Sequence, residues 1–519
     1  MVALDARSRR DALTRLADPD DPIDVLVVGG GITGAGVALD AATRGLRVAL
    51  VEAHDLAFGT SRWSSKLVHG GLRYLVGGHL AIARESAVER HHLMTVIAPH
   101  LIRPVPQVIP DHGARVSSTM VRAGLRAGDL LRRTAGTSST VLAPPVRLGV
   151  DDTLELCPAV RRTGLRGSIV GTDGQLVDDA RLVVAVARTA AAFGATIATY
   201  TRAEQVTGTG ARLTDTRTGE SFDVTARAVV NATGVWAGDL DPSLRVRPSR
   251  GTHLVFDAAT FGHPTGALTV PVAGSVSRFV FALPEQLDRV YVGLTDVDAP
   301  GPIPDVPEPD DAEIDFLIGA INRALEQPVT RADVIGSFAG LRPLIDSGRH
   351  VGRSGGRGAG TADLADVSRR HRVHVSDGTL VGVIGGKLTT YRRMAEDAVD
   401  AAIAASGLRA GRCVTTTTPL IGAAAVPADR TLPASMVARF GSEASKVVAS
   451  ATVDRPLAAI AGGLDVTRAE VEYAVTHEGA ITVDDVVHRR TRIGLVDADA
   501  DLARGAVTEI VDAALDALD

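Results

Sequence analysis

The stretch Asp24–Gly34, DVLVVGGGITG, constrains this chain more than any other part of it. Asp24–Val28 is a short apolar run rich in β-branched residues and reads as a buried strand. Thr33–Arg44 is rich in alanine and free of proline, which predicts a helix. Arg47–Glu52 (RVALVE) predicts a second strand. Between the first strand and the helix lies Gly29-Gly30-Gly31-Ile32-Thr33-Gly34, which contains G-x-G-x-x-G, and the second strand ends in the acid Glu52. Each part has a mechanical task. Gly29 permits the tight turn, Gly31 lets backbone approach a pyrophosphate, and Gly34 lets the helix pack on the strand. The helix N-terminus presents free N–H groups and a positive dipole end to phosphate. Glu52 can accept a hydrogen bond from a ribose hydroxyl. A dinucleotide-binding unit is the expectation.

Composition narrows the rest. At 519 residues, with 45% hydrophobic and 22% charged residues, the chain is long enough for about three globular domains without disulfide support. A net charge of −6 argues against a general nucleic-acid binder. Two cysteines, Cys157 and Cys413, make neither a disulfide framework nor a zinc site and suit a reducing compartment. Arg9-Arg10 is followed by no apolar stretch, so no secretory signal is expected. No apolar run of about 18 residues predicts a membrane span, so any membrane contact should be peripheral.

Two later segments favour FAD over NAD. Arg227–Gly234 (RAVVNATG) reads as a strand entering a small-residue turn, and Val381–Lys387 (VGVIGGK) as a further strand ending in glycines. Both turns can bring backbone amides against a flat or charged ligand, so the chain returns to one nucleotide from distant positions. Elsewhere, residues 8–17, Leu80–Ala98, 115–133 and Asp179–Phe193 read as helices. Alternation near 251–256, 278–282 and 290–294 suggests an antiparallel sheet. Ala299–Asp310, with five prolines, reads as a loop, Gly352–Gly360 as a mobile glycine-rich loop, and the chain beyond Thr415 as mostly helical.

Taken together, Asp24–Gly34, Gly59–Leu75 (GTSRWSSKLVHGGLRYL), Val177–Leu182 (VDDARL), Val229–Trp236 (VNATGVW), Gly251–Leu254 (GTHL), Gly340–Leu344 (GLRPL) and Gly385–Arg392 (GGKLTTYR) resemble the FAD-dependent glycerol-3-phosphate dehydrogenases. Glu472–Arg492, with YAVTHEGA and HRRTR, is similar to that family's helical cap. The resemblance implies an α/β chain, α+β overall. A Rossmann-like FAD-binding domain would be built from 1–110, 176–250 and 351–412, with an insertion carrying a basic helix at 111–175. A substrate-binding antiparallel sheet would follow at 251–350 and a C-terminal helical domain at 413–519. It implies oxidation of sn-glycerol 3-phosphate at C2 to dihydroxyacetone phosphate, hydride passing to FAD and electrons onward to a quinone.

The resemblance also points to residues. Arg73, Tyr74, Arg342 and Arg369 would bind substrate, the guanidinium fork suiting a phosphate dianion; the alignment at Arg369 could slip to Arg370. His253 is the first candidate for the base that takes the hydroxyl proton, with His69 the runner-up. Arg342 and Lys387 complete the catalytic set, a cation near the flavin being able to stabilise a developing alkoxide. The cofactor would be held by Gly29, Gly31, Gly34, Glu52, Thr60, Ser61, Ser65, Lys66, Leu67, His69, Gly70, Gly71, Ala232, Gly234, Gly386, Lys387, Leu388 and Thr389. No metal is expected. Only three residues are lysine (Lys66, Lys387, Lys446), and two of them fall in the most specific motifs, which reads as an ammonium placed beside the flavin where arginine would not serve.

Residues 115–133 carry five arginines against Asp129, a basic amphipathic pattern suited to anionic lipid. The expectation is a cytoplasmic protein, peripheral on the inner face of the cell membrane, with a membrane quinone as acceptor and a homodimer left open. An oxidase passing electrons to oxygen would share nearly all these motifs. A flavin-binding protein without turnover would be expected to keep the glycines and lose the arginine and lysine set.

Overall fold

The computed structural model describes residues 3–71, 79–113, 115–275, 278–345, 370–425 and 431–519. The fingerprint folds as its spacing requires: strand Ile23–Val28, helix Ile32–Thr43 and strand Val48–Val51. Ile23–Val28 is central. It pairs in parallel with Val48–Val51 on one side and with Ser221–Asn231 on the other. Thr196–Ala198 and Leu380–Ile384 extend the parallel sheet outward, and Arg372–Ser376 closes one edge antiparallel to Leu380–Ile384. Strands buried on both faces need continuous apolar sequence. Leu26, Val27, Leu50, Val229 and Val381 meet that need with no exposure at all. Helices Ile32–Thr43, Asp179–Ala192 and Tyr391–Ser406 cover one face. Ala12 and Leu16 of helix Ala6–Ala17 pack on the other.

The second sheet runs in the order Val297–Asp298, Val246–Asp257, Arg289–Gly293, Phe279–Glu285, Ala267–Pro271, Ile102–Pro110, Ser168–Leu176 and Leu67–Val68. Its pairings are antiparallel except that between Ala267–Pro271 and Ile102–Pro110. Val334–Ile345 also pairs antiparallel with Val246–Asp257. The boundary expected at residue 110 therefore does not follow the sheets. Ile102–Pro110 and Ser168–Leu176 form one long antiparallel ladder, so the strand before the boundary belongs with the substrate-side sheet. The helix expected over Leu80–Ala98 is helical over Leu80–His92 and widens into a π-helical turn at Leu93–Ile97.

Beyond residue 413 the described regular elements are helices, the first at Ala434–Phe440, with an apolar core of their own around Val471, Val475, Val487, Val507 and Val511. This region docks on the nucleotide-binding part largely through buried ion pairs. Asp55 accepts from Arg489 at 2.6 Å and from both terminal nitrogens of Arg490 at 2.8 Å. Arg181 is bidentate to Glu478 (2.8 and 3.1 Å) and Arg188 to Glu443 (2.6 and 3.1 Å). Burial alone would raise the Asp55 and Glu478 carboxyls. The facing arginines outweigh it and hold both below the usual carboxylate range.

Candidate active site

A cavity of about 730 Å³ is lined by both sheets. One end is formed by Val28, Gly29, Gly31, Glu52, His54, Thr201 and Arg202, the other by Ser64, Ser65, Arg342, Lys387 and Asp296. Its volume is on the scale of deep ligand sites, about 300–1,000 Å³.

The nucleotide end is made by missing side chains. Gly29 has φ +112°, and a Cβ there would lie 2.7 Å from the Ala232 carbonyl oxygen. A Cβ at Gly34 would fall 1.8 Å from the Gly29 carbonyl oxygen, which is how the helix reaches the strand. Gly34 thus shapes the cradle from behind and does not itself line it. Gly31 opens helix Ile32–Thr43 without a side-chain cap of its own, and Ser61 Oγ accepts from the Ile32 N–H at 2.9 Å. Glu52 Oε2 accepts from the Gly30 N–H at 2.6 Å and Oε1 from the His54 N–H at 2.9 Å, so the acid braces the turn while bordering the cavity. Ala232, Gly234, Gly386, Leu388 and Thr389 reach the same cavity from the two later strands. A glycine turn, a helix N-terminus whose N-cap Gly31 has no side chain of its own and an elongated space bounded by an acid at one end fit a dinucleotide such as FAD.

The other end is made by side chains. Lys387 Nζ donates to Ser86 Oγ at 2.7 Å and borders the cavity. Arg342 passes over Gly251, where a Cβ would lie 2.0 Å from its terminal nitrogen. It reaches Asp296 at 3.1 Å and the Thr295 carbonyl at 3.1 Å. Thr60 Oγ1 donates to the Leu341 carbonyl at 2.6 Å, tying the two motifs together.

His253 is placed differently from expectation. It is fully buried and does not line the cavity. Its Nε2 lies 2.9 Å from Ser65 Oγ, and Ser65 is the group that meets the cavity. The strand register explains the position. His253 is directly opposite Gly293 on one side, where a Cβ would lie 2.2 Å from the imidazole. On the other side it is opposite Phe338, whose ring stacks on it at 4.7 Å and 12°. Burial, then the nearby charges of Lys66 and Arg342, keep the imidazole neutral far below its ordinary range.

Lys66 overturns the reading of a lysine beside the flavin. Its side chain turns into the protein, 1% exposed, and meets Asp179 at 3.3 Å beneath the rings of Phe338 (4.9 Å) and Tyr291 (5.4 Å). Ser64, Ser65, Leu67 and His69 border the cavity, whereas Lys66 and Val68 face away. The backbone turns at Lys66, whose φ of +54° is left-handed, and this swings its side chain inward between Ser65 and Leu67. Gly70 and Gly71 also lie off the cavity. The first packs on the Arg90 guanidinium and donates to Asp173; the second, at φ +77°, turns the chain and donates to His69 Nδ1 at 3.2 Å. Arg73, Tyr74, Arg369 and the glycine-rich 352–360 lie outside the described residues.

Sequence reasoning assigned no role to Asp179, Ser86, Trp63 or Asp296, and placed Ser64 only in the segment expected to run along the cofactor. Asp179 stands inside VDDARL, one of the motifs that carry the resemblance, and accepts from Ser64 Oγ at 2.7 Å. The motif was the available signal; its task required the fold.

Residues 24–392 match the family model described as FAD dependent oxidoreductase, and residues 413–519 match that described as C-terminal domain of alpha-glycerophosphate oxidase. The chain is 58% identical to glycerol-3-phosphate dehydrogenase 1 of Mycobacterium tuberculosis over 96% of each chain. It is 34% identical to the mitochondrial glycerol-3-phosphate dehydrogenase of Bos taurus, over 94% of this chain and 70% of that one. The structure of the Bacillus halodurans glycerol-3-phosphate dehydrogenase complexed with FAD superposes with a TM-score of 0.71 at 26% identity, covering 98% of this chain and 92% of that one.

Proposed function

The chain belongs to the FAD-dependent glycerol-3-phosphate dehydrogenase family, with FAD as its cofactor, and from that premise we propose that it oxidises sn-glycerol 3-phosphate at C2 to dihydroxyacetone phosphate and passes the electrons to a membrane quinone. The observation that carries this reading is one cavity joining a dinucleotide cradle to a wall holding Arg342, Lys387 and the Ser65–His253 pair. Bound there, the flavin supplies a hydride acceptor that can later release its electrons.

The protein's residues do the rest. Arg342 and Lys387 supply cations for the phosphate dianion and for charge growing on the C2 oxygen. Arg73, Tyr74 and Arg369 are proposed to complete the phosphate site. Ser65 receives the hydroxyl proton's hydrogen bond, and His253 behind it is the proposed acceptor; its lowered basicity means that it takes the proton only as hydride departure makes the hydroxyl strongly acidic. His69, bordering the cavity, is the second candidate for that acceptor.

The test is anaerobic addition of glycerol 3-phosphate to the yellow protein. Bleaching is expected; a colour unchanged by this and related phosphorylated polyols rejects the reading. Oxygen as acceptor is a second reading, favoured by the C-terminal match to an oxidase domain. Peroxide formed in step with product, with no quinone reduction, would establish it.

Association with the inner face of the cell membrane is proposed through helix Arg115–Thr134. No helix among the described residues is long and apolar enough to cross a membrane. Leu130 is exposed on the helix, as a surface-seeking segment requires. Arg132 is not part of the outward charge: it is buried, bonded to Asp129 at 2.7 Å and to the Thr137 carbonyl. Arg133 also pairs with Asp129. Co-sedimentation with anionic vesicles that survives reversal of Arg122, Arg126 and Arg133 would refute this contact.

A further inference from the structure

We propose that Arg492, in the C-terminal helical domain, is a positioning residue for the oxidation. It would hold the Ser64–Ser65–His253 wall in register without touching the cavity. The inference rests on the reading of that wall given above.

Arg492 is the largest fully buried side chain among the described residues, and two routes lead from it to the wall. The first runs through stacked groups. Its guanidinium lies 5.3 Å from the Trp63 ring, and Nη2 donates to the carbonyl of Arg62, the preceding residue, at 2.6 Å. Trp63 stacks on Phe338 at 5.7 Å, and Phe338 stacks on His253 at 4.7 Å. The second route is polar. Arg492 Nε is 3.1 Å from Asp178 Oδ2. The next residue, Asp179, accepts from both the N–H and the hydroxyl of Ser64 and pairs with Lys66. Both routes converge on residues 63–66, the segment that aims Ser65 at the cavity and, through a left-handed turn at Lys66, the lysine away from it.

Arg490 offers an internal control. It docks the same domain with the same kind of charge, but its bonds go to Asp55 and the Glu478 carbonyl, away from residues 63–66. If Arg492 only held the domain in place, losing either arginine would cost the same function. If it holds the wall, only Arg492 affects the hydride step. A lysine at 492 keeps the charge but cannot stack on Trp63 while reaching both Asp178 and the Arg62 carbonyl, because it lacks the planar fork.

The experiment compares Arg492→Lys, Arg490→Lys and Phe338→Leu with the wild-type holoenzyme. The readouts are bound FAD, Tm, and anaerobic bleaching against glycerol 3-phosphate concentration. Arg492→Lys is expected to keep its FAD and its half-saturating substrate concentration within about threefold, while its limiting bleaching rate falls at least tenfold. Arg490→Lys should lose Tm and keep a limiting rate within about threefold of wild type. Guanidinium ion should restore part of the rate to Arg492→Ala. Phe338→Leu, which alters the stack from the other end, should reproduce the rate loss and stands in if the Arg492 variants fail to fold. A folded Arg492→Lys bleaching within twofold of wild type, or an equal rate loss in Arg490→Lys, overturns the proposal. If Arg492 variants do not fold, a wild-type rate in Phe338→Leu overturns it. Failure of the wild-type protein itself to bleach would instead overturn the proposed function.

Discussion

The nucleotide cradle and the seam beneath the C-terminal domain are both buried and both bring together distant parts of the chain, yet they are built in opposite ways. The cradle is made by removing side chains: Gly29 and Gly34 let backbone meet backbone, and Gly31 leaves room for the Ser61 hydroxyl. The seam is made by adding the longest side chains available. Arg181, Arg188, Arg489, Arg490 and Arg492 are each matched to an acid, and Asp55 and Glu478 are fully buried. A cradle of this kind tolerates no added atom; a seam of this kind tolerates no missing charge.

The sharpest way to break the comparison is at the cradle. Gly34→Val is expected to prevent folding of the nucleotide-binding part, because its Cβ would have to occupy the space of the Gly29 carbonyl oxygen. Soluble, yellow Gly34→Val protein would show that the helix can stand off the strand. The seam comes next. Asp55→Ala leaves two buried guanidinium groups facing each other and should cost about 3–5 kcal/mol of stability. Chemical denaturation reads this, and a loss under 1 kcal/mol would show that water replaces the carboxylate.

The two motif lysines test the contrast at finer scale. Lys66→Met should lower Tm, since it strips Asp179 of its buried partner. Lys387→Met should leave Tm nearly unchanged and lower turnover at least tenfold, with the colour retained. Exchanged outcomes would reverse the assignment of Lys66 to the interior. A smaller effect is expected from pH. His100 sits against Gly422 and Gly441 at the edge of the C-terminal domain, and burial lowers it to about 4. Between that value and about 6.5 the unfolded chain binds a proton that the native protein does not, so stability falls on acidification through this window. His100→Asn should flatten the Tm profile there; an unchanged slope would place the titration elsewhere. The smallest effect is expected at the exposed Arg331, which pairs with Asp311 and Asp315 on the surface. Arg331→Ala should not measurably change Tm.

The cradle was legible in the sequence because its physics is local. A glycine at a tight turn and a helix that follows it are specified within a dozen residues, and the later returns at Ala232 and Gly386 carry the same signature. The substrate wall was legible only by resemblance, and its orientation was misread where the resemblance was strongest. Lys66 stands in a specific motif, but a motif does not say which way a side chain faces. Its direction is set by the left-handed backbone at Lys66 (φ +54°) and by Asp179, 113 residues downstream, neither of which the motif states. His253 was found and its exposure was not, because its burial depends on Gly293 and Phe338, which reach it only through strand register. The seam was visible as HRRTR, yet its partners Asp55 and Asp178 lie hundreds of residues upstream.

The parallel sheet has a consequence for biosynthesis. Strand Ile23–Val28 emerges early from the ribosome, but its neighbour Ser221–Asn231 arrives much later, and Leu380–Ile384 later still. Until then the fingerprint is a strand and a helix with an unpaired edge, and no wall opposes the nucleotide. Cofactor loading is therefore a late event in the life of each new chain. During the interval, the exposed edge of the central strand is the part of the molecule that most needs protection from pairing with its neighbours.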